Sequence, residues 1–127
     1  MTLKLIIPGP IPSKKNSRRI GVSKSTGKQF NIPSKNHEDW AGMARKALFR
    51  HEKCSPCNGV VCIKIVFWWG CRRKCDLSNK AESIMDLLVK CGVVKDDSWD
   101  IVPELILVSG GIDKNKPRAE VFITNFI

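Results

Sequence analysis

Residues 60–94 read "VVCIKIVFWWGCRRKCDLSNKAESIMDLLVKCGVV", and this stretch predicts a strand followed by a helix. The run Val60–Trp69 is apolar and rich in β-branched and aromatic residues, which favours a central strand that ends at Gly70. Apolar residues then recur at three- and four-residue steps, which predicts a helix from about Ser78 to Lys90, with Gly92 in the usual stop position. The core face of this helix is expected to carry Leu77, Ala81, Ile84 and Leu88.

The flanking sequence predicts further elements on both sides of this unit. "TLKLIIP" (residues 2–8) indicates a first strand, residues 13–35 a polar basic loop, and "NHEDWAGMARKALFRHEK" (residues 36–53) a helix that Asn36 caps. After the second helix, "IVPELILVS" and "RAEVFITNF" indicate two more strands. The 127 residues therefore predict one small α+β domain with a mixed sheet and two main helices, in the order β-α-β-α-β-β.

The charge balance is strongly basic: 22 Lys and Arg residues against 12 Asp and Glu residues give a net charge of +10 at neutral pH. Such an excess indicates a nucleic acid or an anionic membrane surface as partner, because clustered cations release counterions from a phosphate polymer. A merely soluble basic protein is the alternative. If about six to eight phosphates are neutralised, log affinity should fall with log salt at a slope of about −5 to −7. The candidate phosphate contacts form two clusters, one in the basic loop and one just before Asp76: Lys14, Lys15, Arg18, Arg19, Arg72, Arg73 and Lys74.

No segment predicts export or a membrane span. The opening "MTLKLIIPGPIP" has too few apolar residues before its prolines for a signal-peptide core. The longest apolar run, in the predicted central strand, is far short of the roughly 20 residues that a spanning helix requires. We therefore expect a cytoplasmic protein.

The six cysteines are expected to be reduced thiols rather than a disulfide framework. "CSPC" followed by "CRRKC" has the pairing of a four-ligand zinc site. The predicted strand between the two pairs argues against that site, because about ten extended residues span around 33 Å. The full set is Cys54, Cys57, Cys62, Cys71, Cys75 and Cys91.

Acidic residues stand at both ends of the predicted second helix: Asp76 precedes it, and Asp96 and Asp97 follow it. The helix is only about 18 Å long, so turns at its ends either separate these acids or fold them together. Two carboxylates about 4 Å apart repel by roughly 4 kcal/mol at an effective dielectric of about 20, so a converged cluster requires a cation. Hard oxygen ligands favour Mg²⁺, with Mn²⁺ as the other candidate, and in a basic protein this is typical of a metal-dependent phosphodiesterase. The alternative is a helix cap at Asp76 and a solvated loop, and the residues alone leave both open.

The order of motifs resembles the RusA family of Holliday-junction resolvases, endonucleases often carried by phages and prophages. The matching pieces are "PGPIPSKKNS" after the first strand, the first helix, "CDLSNKAESIMDLLVKCGVV", and "KDDSW" leading into a strand. The resemblance covers nearly the whole chain. Its most specific part is the pattern of Asp76, Leu77 and Asn79, with Asp96 and Asp97 at the expected distance.

This resemblance implies a homodimer that binds Mg²⁺ through aspartates and nicks two strands of a four-way junction symmetrically. Carried over by match, Asp76 and Asp97 become metal ligands with Asp96 as a helper, and Asn79 orients the turn that bears them.

Two positions depart from the family pattern. Ser78 stands where an aspartate is common, and Glu82 where a lysine is common. Since Glu82 lies one helical turn beyond Ser78 on the same face, our hypothesis is that Glu82 replaces the lost ligand. Lys80, four residues after Asp76, would then supply the missing positive charge.

Three functions thus follow from the sequence. The leading one is a Mg²⁺-dependent, structure-selective endonuclease that acts on branched DNA. The second is a catalytically weak or inactive protein that only binds branched DNA, and the third is a zinc-containing DNA-binding protein.

Overall fold

The protein is described by a computed structural model, which covers residues 2–13, 18–22, 29–33, 35–49 and 59–125. Six strands and two helices are assigned within these residues. In chain order they are β1 (Thr2–Pro8), β2 (Arg18–Val22), β3 (Gln29–Pro33), α1 (Lys35–Phe49), β4 (Val61–Trp69), α2 (Leu77–Lys90), β5 (Glu104–Ile112) and β6 (Arg118–Asn125).

Four strands form one mixed sheet in the spatial order β1-β6-β4-β5. β6 pairs antiparallel with both β1 and β4, whereas β4 and β5 run parallel because α2 carries the chain between them. Around this sheet the elements follow one another as β-α-β-α-β-β, which confirms the predicted α+β class and order.

The two faces of the sheet differ in burial. On β4, every second side chain from Val61 to Phe67 is at most 1% exposed, and these residues face the core beneath the helices. Met85, Ile84 and Leu88 of α2 belong to the same core. The opposite or outer face keeps partly or fully exposed side chains, which include Lys4, Ile6, Cys62, Lys64, Val66, Glu104, Ile106 and Phe122.

The basic segment predicted as a loop contains a hairpin, which corrects that prediction. β2 and β3 pair antiparallel as a separate two-stranded sheet, with Ile20 opposite Asn31 and Arg19 opposite Ile32. Each strand has only five residues: β2 begins with two arginines before Ile20, Gly21 and Val22, and β3 mixes Phe30 and Ile32 with Gln29, Asn31 and Pro33. The strand pattern was therefore weak, because Gly, Asn and Pro are depleted in strands.

The first helix begins at Lys35, one residue before the expected cap Asn36. It packs against β1, and the Trp40 indole N–H donates a hydrogen bond to the Pro8 carbonyl at 2.9 Å. Trp40, Ala44 and Leu48 are buried, as the three- and four-residue spacing predicts. Among the described residues, the two helices are both too short or too polar to cross a membrane.

Candidate functional site

Asp76 begins the second helix as its N-terminal cap. Its backbone is extended (φ −89°, ψ 122°), and its Oδ1 accepts hydrogen bonds from the Ser78 backbone N–H at 3.0 Å and the Ser78 hydroxyl at 2.7 Å. The first helical hydrogen bond then runs from the Lys80 N–H to the Asp76 carbonyl. The capping role considered from the sequence is therefore present, and it holds the carboxylate at the first turn of α2.

The chain turns back directly after α2. Gly92 has a positive φ of 73°, and the Val93 N–H reaches the Leu88 carbonyl at 2.9 Å, which is the glycine-terminated stop that the sequence predicts. Val93 and Val94 are buried, so the segment after the helix is held against the core. This return carries Asp96 and Asp97 back along α2, and the Asp96 carboxylate accepts the Asp97 N–H at 2.8 Å.

Asp97 meets α2 in a cavity of about 290 Å³, which we call the acidic cavity. Ser78 and Glu82 line this cavity from the helix. Val102, Leu105 and Leu107, which lie in β5 or just before it, supply apolar lining. Ser78 and Glu82 are one turn apart on the same helix face, as predicted. The structure thus brings Asp97 and Glu82 to one cavity.

The other side of the first turn opens into a larger cavity of about 660 Å³, the basic cavity. Asp76, Asn79 and Lys80 line it from the helix, and Arg73 and Lys74 line it from the connection before the helix. Asp76 is therefore next to the predicted phosphate-binding cluster. Ser78 links the two cavities, since it lines the acidic one and its hydroxyl bonds to Asp76.

Two further cations of the basic cavity, Lys114 and Arg118, were missed by the sequence reasoning. They belong to the turn between β5 and β6 and to the first residue of β6, about forty residues away along the chain. The signal that could have found them is the basic turn "DKNKP" after an edge strand.

Lys80 has a structural partner. Its Nζ donates a hydrogen bond to the Ile11 carbonyl at 2.7 Å, and one turn later the Ser83 hydroxyl donates to the Pro12 carbonyl, also at 2.7 Å. These two hydrogen bonds hold the segment that follows β1 against α2. The ammonium still lies in the wall of the basic cavity that it shares with Asp76.

Arg118 is the centre of a polar network on the outer face. Its Nη1 lies 2.8 Å from Asp113 Oδ2, its Nε lies 3.4 Å from Glu120 Oε2, and its guanidinium carbon stands 5.0 Å from the Trp68 ring centroid. The hydrogen bond from Arg118 is the main cause that holds the pKa of Asp113 below its ordinary value. The pKa of Glu120 is lowered chiefly by the hydrogen bond from the Trp68 indole, and further by Arg118 and Lys4.

The tryptophans of β4 point to opposite faces, as strand alternation predicts. The Trp68 indole N–H bonds to Glu120 at 3.0 Å on the outer face, whereas Trp69 stacks on buried Phe67 with ring centroids 5.3 Å apart. Trp99 is 84% exposed, in the segment that carries Asp97.

Several predicted residues lie apart from these cavities or outside the described residues. Asp96 and Arg72 are exposed and line neither cavity, whereas the exposed thiols Cys71 and Cys75 lie in the wall of the basic cavity. Lys14, Lys15, Cys54 and Cys57 lie outside the described residues, and the structure gives only the strand positions of Arg18 and Arg19. Within the described residues, no three His, Cys, Asp or Glu side chains are grouped so as to hold a metal ion by themselves.

Carboxylates beside a cation-lined cavity, on a small α+β domain, are typical of a nuclease that acts on the backbone of a nucleic acid. The family model for endodeoxyribonuclease RusA matches residues 8–124, nearly the whole chain. The protein therefore belongs to the RusA family of endodeoxyribonucleases, as its motifs indicated, and this membership supports a nuclease activity on branched DNA junctions. The comparison with curated proteins gave no match.

Proposed function

We propose that this protein is a Mg²⁺-dependent endonuclease of the cytoplasm that resolves Holliday junctions or other branched DNA during recombination and repair. The observation that carries the proposal is the fold of the chain around α2. Asp97 and Glu82 line one cavity, and Asp76 lines the adjacent cation-rich cavity, at the same first turn of the helix.

The donor set fits Mg²⁺, or Mn²⁺ in its place. Asp76, Glu82 and Asp97 offer hard carboxylate oxygens, and Asp96 is bonded to the backbone of Asp97. Mg²⁺ is commonly held by one or two carboxylates, with waters and substrate phosphates as its other ligands, so a closed protein cage is not required. When bound, the ion supplies activation of water and neutralises charge on the phosphate and on the leaving oxygen.

The residues around the carboxylates then have separate roles. Ser78 holds the Asp76 carboxylate at 2.7 Å and so fixes its rotamer at the helix start. Glu82 takes the place of the carboxylate that Ser78 lacks, from the same helix face. Lys80, fixed by the Ile11 carbonyl, places a positive charge in the wall of the cavity that contains Asp76.

DNA would be held by the cations on both sides of this turn. Arg73 and Lys74 line the basic cavity, and exposed Arg72 stands directly before them. Lys14, Lys15, Arg18 and Arg19 remain proposed contacts of the hairpin region. Together these cations position the phosphate backbone without reading the bases, which suits recognition of a branched shape.

We also propose a homodimer, with the outer face of the sheet as the contact. Ile6 and Ile106 are 43% and 44% exposed there, and Lys64 stands opposite Ile106 in the strand pairing. This face carries both charge signs, because Lys64 and Glu104 are both exposed. Two copies related by a twofold axis can therefore pair Lys64 of one copy with Glu104 of the other. Four strands of seven to nine residues offer roughly 500 to 600 Å² per protomer, which is close to the lower end of stable interfaces.

The test is incubation of the purified protein with a synthetic four-way junction in Mg²⁺, in Mn²⁺ and in EDTA. We expect paired nicks on opposite strands with either ion and intact DNA in EDTA. Cleavage that persists in EDTA would contradict the metal requirement.

One observation favours a second candidate, a branched-DNA-binding protein with little catalytic activity. Ser78 supplies a hydroxyl where a third carboxylate would complete the cluster, and the described residues contain no ready-made group of three acids. The same assay distinguishes the nuclease from the binding protein. A protein that only binds would slow the migration of the junction in a native gel and leave its strands uncut.

A further inference from the structure

We infer that the basic cavity is a binding site for phosphates of the DNA strand, and that Lys114 from the β5–β6 turn is one of its phosphate contacts. This inference rests on the proposed function, which it deepens by naming a binding residue that neither the motifs nor the family match assigns.

The cavity wall is strongly biased in charge. Among the described residues, its lining includes the cations Arg73, Lys74, Lys80, Lys114 and Arg118, against Asp76 as the single acid. The cations come from three separate parts of the chain, so the bias is a product of the fold. A concave wall with one sign of charge focuses the potential and attracts a polyanion.

Three of the five cations are available for a ligand. The Lys80 ammonium is bonded to the Ile11 carbonyl, and Arg118 is paired with Asp113 and Glu120. Arg73, Lys74 and Lys114, by contrast, have exposed side chains. Lys114 lines the same cavity from the β5–β6 turn, so a strand lying in the cavity would meet cations from two separate parts of the chain.

The position of Lys114 is fixed by its neighbour Asp113. The Asp113 N–H donates to the Trp69 carbonyl at 2.8 Å, which ties the turn to the end of β4. Its carboxylate accepts the N–H groups of Asn115 and Lys116 at 3.2 and 3.1 Å, and Arg118 Nη1 at 2.8 Å. Asp113 is therefore a positioning residue, although its own charge is unfavourable next to DNA.

The experiment measures the affinity of the full chain for a labelled four-way junction in EDTA, by fluorescence anisotropy over a range of salt. One phosphate contact accounts for about 0.9 in the slope of log affinity against log salt, and for about tenfold in affinity near 0.1 M salt. We expect Lys114→Gln to lower the slope by about 1 and the affinity by about tenfold. The matched control is Lys90→Gln, which removes an exposed lysine at the far end of α2, where it pairs with Asp86. That control should stay within about twofold of the wild type, because it lies away from the cavity.

A second variant tests the positioning role through the sign of its effect. Asp113→Ala makes the protein more positive, so a purely electrostatic view predicts tighter binding. If Asp113 positions Lys114, binding weakens and the salt slope falls despite the extra positive charge. A cooperative melting transition well above the assay temperature would show that both variants are folded.

Equal behaviour of Lys114→Gln and Lys90→Gln would overturn the phosphate site, and tighter binding by Asp113→Ala would overturn the positioning role. Failure of the proposed function looks different, because binding in EDTA requires no cleavage. A protein that loses affinity with Lys114→Gln but never nicks the junction in Mg²⁺ would keep this inference and refute the nuclease proposal.

Discussion

The Ser78 hydroxyl donates a 2.7 Å hydrogen bond to Asp76 Oδ1, at the turn where the acidic and basic cavities meet. The same carboxylate oxygen accepts the Ser78 N–H as the cap of α2. Asp76 therefore combines a structural role with its proposed role as a ligand, and the two can be separated by substitution.

Asp76→Asn should abolish cleavage while the fold stays intact. Asparagine caps a helix about as well as aspartate, so the free energy of unfolding should change by less than about 0.5 kcal/mol. The lost charge should reduce Mg²⁺-dependent junction cleavage by at least about a hundredfold, because loss of a residue that only supports a ligand already costs about ten- to a hundredfold and Asp76 is the proposed ligand itself. Denaturant melts and single-turnover cleavage measure the two effects. Asp76→Ala is the matched control, since it should lose both activity and about 1 kcal/mol of stability.

Glu82→Gln should reduce Mg²⁺-dependent cleavage strongly, because Glu82 shares its cavity with Asp97. The double variant Ser78→Asp with Glu82→Gln should regain cleavage, since it returns a carboxylate to the earlier turn of the same face. Cleavage rates at several Mg²⁺ concentrations measure both effects. Full activity of Glu82→Gln, with loss of activity in Asp76→Asn, would show that Glu82 is not the relocated ligand.

Ile106→Asp should convert a dimer into a monomer. Ile106 lies on the outer face of the edge strand β5, and a charge there would be buried against the second copy. Light scattering on the eluting protein should give about 14.3 kDa for the variant, and twice that mass for the wild type. Met43→Asp is the control, because Met43 is similarly exposed, at 49%, but lies on α1. A wild type that elutes as a monomer would contradict the proposed assembly.

The Arg118 network should make stability fall in acid. The pKa of Asp113 and of Glu120 is lowered from ordinary values of 3.8 and 4.5. The folded state therefore binds fewer protons than the unfolded state in this range, so the stabilisation is complete above about pH 5 and is lost as pH falls through the lowered values. Arg118→Gln removes part of the cause, and its melting temperature should depend less steeply on pH between about 5 and 3 than that of the wild type. If the melting temperatures of the wild type and of Arg118→Gln fell equally steeply with pH, Arg118 would not be a cause of the lowered pKa values.

The central strand and the second helix were predictable because their signals are long and regular. The helix was expected from Ser78 and begins at Leu77, and both its cap and its glycine stop use residues with clear local chemistry. The β2–β3 hairpin was missed because each strand is short, β2 begins with two arginines, and β3 contains Asn31 and Pro33.

The site was only partly predictable, for a different reason. The return of Asp97 to α2 depends on buried Val93 and Val94, which decide the direction of the chain after the turn. Lys114 reaches the basic cavity through the hydrogen bond from Asp113 to Trp69, and thus through the parallel pairing of β4 with β5. Such long-range pairings have no local sequence signal.

The central claim is that carboxylates from both ends of α2 hold one divalent ion together. The most direct measurement is Mn²⁺ binding to the purified protein, followed by electron paramagnetic resonance, for the wild type, Asp76→Asn and Asp97→Asn. We predict that each substitution weakens the same site by at least about tenfold, as removal of a ligand or its support does. Wild-type affinity in either variant would contradict the claim.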